Sequence, residues 1–232
     1  MRSENSRMTS LPQMDVVIPV LNGEATVEAA VHSVLQQSCV HTRAIVVDAG
    51  STDTTVALMQ QMQGERVQLV TTDRQLLAGA ARNRGLDHCQ AAWLSFLDAD
   101  DLWPTNRSEQ LLAAITNPSQ QMAVGETLQF SDNPPGQAIS RGHAPGSGNL
   151  LIARDTFERV GRFNPDLPVV EVVEWIARAR TAGIEELQVP VVAQLRRSHA
   201  HNTSRQRRQA FAVSVLQIVR EHRQRREGPC TG

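Results

Sequence analysis

Trp93-Leu94-Ser95-Phe96-Leu97-Asp98-Ala99-Asp100 is an apolar run that breaks abruptly into acid. The apolar half has the near-continuous hydrophobic character of a strand covered on both faces, as strands of a parallel sheet are. Asp98 and Asp100 lie two residues apart, which in extended backbone places both carboxylates on one face. If this reading holds, strands and helices must alternate before it.

They do. Asp15-Val16-Val17-Ile18-Pro19-Val20 reads as a strand whose proline marks its end. Between 24 and 37, Ala25, Val27, Ala30, Val31, Val34 and Leu35 follow helical spacing. Strands are expected again at 44–47, 67–70 and 92–97, with a helix running to about 62 and another over 76–89. Ser51 or Thr52 is the expected cap of the first of these two helices. The order βαβαβαβ calls for a parallel sheet with right-handed crossovers.

Beyond Asp101 the rhythm changes. The pattern predicts a helix over 107–115, a strand over 122–130 and a short helix over 154–160 after the apolar 149–152. A helix over 171–182, a strand over 187–195 and a long amphipathic helix over 205–226 complete the chain. Residues 131–149, rich in Pro, Gly and Ser, read as one long loop. The expected organisation is a disordered 1–13, one domain over 14–204 with halves 14–103 and 104–204, and a basic helix and tail over 205–232.

Composition narrows the class. With 232 residues and 41% hydrophobic content the chain can bury one sizeable core. Three scattered cysteines suggest a reducing compartment rather than a disulfide framework or zinc site. No apolar run approaches the roughly 20 residues of a membrane span. The opening residues lack the apolar core of a signal peptide, so a cytoplasmic protein is expected. The net charge of −1 hides an asymmetry: residues 196–232 carry nine arginines against two acids, a net of +7. That tail suits an anionic membrane surface or an acidic protein, or simply a solvated helix on an acidic body. No nucleic-acid partner is expected.

Ligands of open α/β sheets sit outside the carboxyl ends of the strands. Polar residues fall there after each expected strand: Asn22 and Glu24, Asp48, Asp73, then Asp98, Asp100 and Asp101. So many acids on one edge require a cation, and a divalent ion with oxygen ligands is the natural one. The alternative is that the last three cap a helix near Pro104.

Four segments together carry a resemblance: Val17-Ile18-Pro19-Val20-Leu21-Asn22-Gly23-Glu24, Val46-Val47-Asp48-Ala49-Gly50-Ser51-Thr52-Asp53, Gly79-Ala80-Ala81-Arg82-Asn83-Arg84-Gly85 and Phe96-Leu97-Asp98-Ala99-Asp100-Asp101. In this order and spacing they resemble the family 2 glycosyltransferases. The resemblance implies an α/β GT-A fold: a Rossmann-like, mostly parallel sheet flanked by helices, with a C-terminal acceptor-side region and a long terminal helix. It implies a metal-dependent inverting transfer of a sugar from a nucleotide diphosphate sugar, UDP-sugar being expected, to an acceptor hydroxyl of unknown kind. Asp48 would pair with the nucleotide base. Pro19, Asn22, Glu24 and Ser51 would shape the nucleoside pocket, Arg82 would hold the nucleotide, and Asp98 and Ala99 would line the donor. Asp98 and Asp100 would hold Mn2+ or Mg2+, joined by His199 of a C-terminal R-x-H-x-x-N-x-[ST] run. Leu21 stands where the family often has an aromatic residue and Ala49 replaces a common second Asp, leaving the base open between uracil, guanine and thymine.

The family places its catalytic base in an acidic pair at a helix start. Here that stretch is Glu171-Val172-Val173-Glu174-Trp175-Ile176-Ala177-Arg178, with Val172 where the Asp belongs. Either Glu171 or Glu174 substitutes as base, Glu171 being equally readable as a first-turn acid favoured by the helix dipole. Otherwise the chain is a nucleotide-sugar-binding protein without turnover. A nucleotidyltransferase is disfavoured, because Pro19-Val20-Leu21-Asn22-Gly23 is a poor phosphate cradle.

Overall fold

The structure, a computed structural model, describes residues 10–132, 135–143, 146–168 and 170–198. Its first half follows the expected alternation: β1 (Gln13–Val20), α1 (Val27–Leu35), β2 (His41–Asp48), α2 (Thr55–Met62), β3 (Val67–Thr71), α3 (Ala78–Leu86) and β4 (Trp93–Phe96). These four strands are parallel, in the order β3-β2-β1-β4. All their carboxyl ends therefore open on one edge.

Pro19 is tolerated in a central strand because β4 stops pairing at Val17, two residues earlier. It lies inside β1, opposite Val47 of β2, rather than at its end.

The second half adds α4 (Arg107–Ala114), β5 (Gln121–Asp132), β6 (Pro135–Gly142), β7 (Leu150–Ala153), α5 (Arg154–Val160), α6 (Glu171–Thr181) and β8 (Glu185–Ser198). β7 joins β4 antiparallel, β5 follows it antiparallel, and β8 runs parallel along β5. The order β1-β4-β7-β5 carries the donor edge directly into the second half.

Both faces of the sheet are covered at β1, β2 and β4, which is why these strands are largely apolar and buried. Met14, Val16, Ile18 and Val20 of β1 pack toward α1, α2 and α4, while Val17 packs with residues of α3, α5 and α6. On that second face Phe96, Phe157, Phe163 and Trp175 form one aromatic group, Phe157 stacking on Trp175 at 4.5 Å.

Helix α3 lies so close to the sheet that a Cβ on Gly85 would overlap Val17 Cγ1 and lie 3.0 Å from Val47 Cγ2. Gly85→Ala is therefore expected to lower stability by roughly 1–3 kcal/mol, the usual cost of overpacking. Urea denaturation checks this; an unchanged midpoint would show that α3 moves freely away from the sheet.

Three expectations need correction. The 131–149 stretch is not one loop: β6 pairs antiparallel with β5. Its alternating Gln137-Ala138-Ile139-Ser140-Arg141 is a strand pattern hidden between turn residues. The cap of α2 is Thr54, not Ser51 or Thr52, and Asp53 Oδ1 accepts the Thr55 N–H at 3.0 Å. Asp98 and Asp100 do not share a face of extended strand, because β4 ends at Phe96 and Asp101 N–H donates back to the Asp98 carbonyl in a turn. Nor do they cap α4, whose N-cap is Asn106. The expected 205–226 helix and His199 lie outside the described residues. Among the described residues no helix is long and apolar enough to cross a membrane.

Candidate functional site

The loops after β1 and β2 are zipped together. Asn22, at φ 53°, donates its N–H to Ser51 Oγ at 2.8 Å and accepts the Thr52 N–H at 2.8 Å. Asparagine is among the few non-glycine residues that tolerate this left-handed conformation. Glu24 Oε2 accepts from the N–H of Thr54 at 3.0 Å and from its hydroxyl at 2.6 Å. Three of the residues expected to shape a nucleoside pocket, Asn22, Glu24 and Ser51, thus bond across to the opposite loop.

Asp48 ends β2 and is buried. Its Oδ2 accepts the N–H groups of Gly50 and Ser51, both at 3.1 Å, while Oδ1 is buried without a partner among the described residues. A buried carboxylate oxygen is costly to leave unpaired, so this atom is suited to a ligand N–H.

Arg82, in the middle of α3 and three residues after Gly79, is 2% exposed. Its Nη2 pairs with Asp98 Oδ1 and its Nη1 with Glu171 Oε1. Burial works against the charge, and the carboxylates of Asp98 and Glu171 more than offset it, holding the guanidinium above its usual value. Gly79 allows this meeting: a Cβ there would lie 2.9 Å from the Asn164 carbonyl and 3.2 Å from Glu171 Cγ. The N-cap of α6 is Val170 at φ 68°. For a β-branched residue this conformation stores about 1–3 kcal/mol, and it lies directly before Glu171.

The other oxygens of Asp98 and Glu171 have no partner among the described residues. The Asp98 side chain is 42% exposed and also accepts the Ser147 hydroxyl on Oδ1 at 3.0 Å. Ala99 faces the first loop, within 3.8 Å of where a Gly23 Cβ would stand.

Asp101, for which capping of a following helix was the alternative reading, fastens the acidic turn to β8. It is buried and accepts Gln194 Nε2 at 2.6 Å and the Arg197 N–H at 2.9 Å. Arg197 Nε also donates to the Asp100 carbonyl at 3.0 Å. Burial, then the charges of Asp100 and Asp98, push the Asp101 carboxyl well above the usual carboxylate range. The two candidate bases differ sharply. Glu174 is held by Arg178 of its own helix, at 2.6 and 3.1 Å, whereas Glu171 joins the Arg82–Asp98 cluster. Val172 lies in the core with Phe157 and Trp175.

Ser147, Gln194 and Arg107, which touch or brace this cluster, were not among the expected site residues; their partners lie 49, 93 and 41 residues away.

The family model for glycosyl transferase family 2 matches residues 15–170. The chain is 35% identical over 127 residues to TuaG of Bacillus subtilis (strain 168), whose name assigns it to teichuronic acid biosynthesis, covering 53% of this chain and 50% of that protein. It is 30% identical over 120 residues to WfgD of Escherichia coli, a UDP-Glc:alpha-D-GlcNAc-diphosphoundecaprenol beta-1,3-glucosyltransferase, covering 52% and 47%. The chain thus spans about half the length of these curated relatives. Its backbone superposes on residues 1–349 of S. aureus TarS, solved with UDP-GlcNAc, with a TM-score of 0.69 at 14% identity, covering 82% of this chain and 60% of that one. At that identity the likeness speaks for the fold, and the fold is the GT-A fold. With its strand-end acids on that fold and the family match running from β1 to the start of α6, the chain belongs to glycosyl transferase family 2.

Proposed function

We propose that this chain transfers a sugar from a UDP-sugar to an acceptor hydroxyl, with inversion and with the help of Mn2+ or Mg2+. The observation that carries the reading is Arg82, which draws Asp98 at the donor edge and Glu171 at the start of α6 onto one buried guanidinium. A cation site and a proton acceptor are thereby set side by side, with Asp48 two strands away along the same edge.

The unpaired Asp48 Oδ1 suits the imide N–H of uracil. Among the described residues no three His, Cys, Asp or Glu are grouped to hold a metal. In this reading Asp98 and Asp100 would hold the cation, completed by diphosphate oxygens as Mg2+ sites usually are, with His199 a further candidate ligand beyond the described residues. Such a cation supplies Lewis-acid stabilisation of the leaving diphosphate. Glu171 accepts the proton of the acceptor hydroxyl as its oxygen attacks the anomeric carbon. The bond from that carbon to the diphosphate oxygen breaks, and its electron pair leaves with UDP.

The buried Val172 favours a second reading, a protein that binds nucleotide sugar without turning it over. The acceptor belongs to the second half of the chain. WfgD acts on a lipid-linked diphosphate; glycan, lipid-linked, peptide and small-molecule acceptors are all to be screened, with membrane or protein docking through the basic 205–226 segment. The expected location is cytoplasmic.

A thermal-shift screen tests donor binding, since only ligands of the folded state raise the melting temperature. UDP-sugars with Mn2+ are expected to stabilise the protein, and the shift is expected to vanish in Asp98→Asn/Asp100→Asn. A metal-dependent shift that survives this double change would contradict the site assignment.

A further inference from the structure

Arg107 opens α4 and is wholly buried, yet no acid pairs with it among the described residues. Its Nη2 donates to Ser95 Oγ at 2.8 Å, to the Leu150 carbonyl at 2.9 Å and to the Gly148 carbonyl at 3.2 Å. Its Cζ lies 3.7 Å from the centre of the Trp103 ring, a cation–π distance. Nε and Nη1 have no partner among the described residues, and burial pushes the guanidinium down to about 9. A buried cation without an acid is a net burden on stability. Core packing does not require it, because an apolar side chain of similar size would serve there.

The carbonyls it holds are that of Gly148, in the 146–149 loop, and that of Leu150, which opens β7. Trp103 Nε1 donates to the same Gly148 carbonyl at 2.8 Å. From the other side Gln194 presses on Gly148, where a Cβ would lie 2.6 Å from its Cδ. Asn149, also buried, accepts the Gly146 N–H at 3.0 Å and donates to the Gly125 carbonyl at 3.0 Å. The one side chain of this clamped loop that reaches the donor edge is Ser147, whose hydroxyl bonds Asp98 Oδ1.

We propose that Arg107 is a positioning residue of the donor site: by gripping the Gly148 and Leu150 carbonyls it keeps Ser147 on Asp98 Oδ1 and leaves Oδ2 for the cation. This rests on the reading of Asp98 as a cation-binding residue. Arg107 touches neither donor nor cation and acts only through the loop.

The test is a double-mutant cycle on Mn2+-dependent UDP binding, measured by titration calorimetry with and without the metal. Arg107→Met and Ser147→Ala are each expected to weaken Mn2+-dependent binding roughly tenfold, the size of one lost charge-assisted hydrogen bond. The double variant is expected to bind no more weakly than the weaker single one, because both changes release the same contact. Metal-free UDP binding, set by the Asp48 end of the site, is expected to be the same in all four proteins. A residue that merely supported the fold would weaken both modes together. Should Arg107→Met lose cooperative unfolding, Ser95→Ala, which removes one acceptor of Arg107, takes its place in the cycle. Unchanged Mn2+-dependent affinity in the Arg107 variant, or losses that add in the double variant, overturns the proposal alone. Absence of Mn2+-dependent UDP binding in the unaltered protein overturns the Asp98 reading and this proposal with it.

Discussion

Arg82→Met is expected to lower stability by about 3–5 kcal/mol and to abolish transfer, because it strands a buried carboxylate. Arg82 is the only described cation paired with either Asp98 or Glu171. Glu171 is 6% exposed, and Val170 and Val172 on either side of it are buried as well. Once the guanidinium is gone, the carboxylate either stays charged and unpaired or takes up a proton, and both weaken the fold near neutral pH. A compensating variant separates charge from packing. Arg82→Met/Glu171→Met replaces the whole ion pair with apolar side chains, which is often neutral for stability. It is expected to regain most of the lost urea midpoint while remaining inactive. If Arg82→Met alone unfolds at the midpoint of the unaltered protein, the cluster carries no energetic weight, and its role as the link between donor edge and α6 falls.

The parallel half of the fold was legible because its signals are local. Each strand there carries a short run rich in apolar residues, each helix has its own period, and three of the four motifs sit at strand ends, where a parallel sheet must collect them, the other lying in α3. The second half was less so. β6 hides among turn residues because an edge strand needs little burial, and Ile139 on it is 53% exposed. The acidic turn was misread as extended because its bend is set by the Asp101–Asp98 backbone bond and by β8, which arrives more than 90 residues later. Arg82 was named as a nucleotide contact on the strength of its motif, but its position between two carboxylates depends on Gly79 admitting α6, a packing fact with no signature in the residues themselves.

The same packing ranks the two glutamates. Glu174 and Arg178 form an i,i+4 pair in the favourable order, Glu first, and such pairs serve a helix wherever it lies. Glu171 has its cation on another helix, α3, and shares it with Asp98. Of the two glutamates, the one coupled to Asp98 is therefore the proposed base.

Glu171→Gln is accordingly expected to lower kcat by about 10²–10⁴-fold, the range for loss of a general base, while Mn2+-dependent UDP affinity stays within about twofold. Glutamine keeps the shape and an oxygen for Arg82 but cannot take the acceptor proton. Glu174→Gln is expected to leave kcat nearly unchanged, because Glu174 is occupied by Arg178. Val172→Asp is the informative third variant. In a chain that had lost turnover through this one position, restoring the acid would raise activity. Here Val172 packs among Phe157, Trp175 and Ile176, so a carboxylate would have to be buried against aromatic rings, and the variant is expected to melt earlier with no gain in kcat. Steady-state rates with a UDP-sugar and a panel of acceptors, beside melting temperatures, separate the outcomes. Activity unaffected by Glu171→Gln and raised by Val172→Asp would show that the proton acceptor was lost with the aspartate, and that what this chain retains is donor binding.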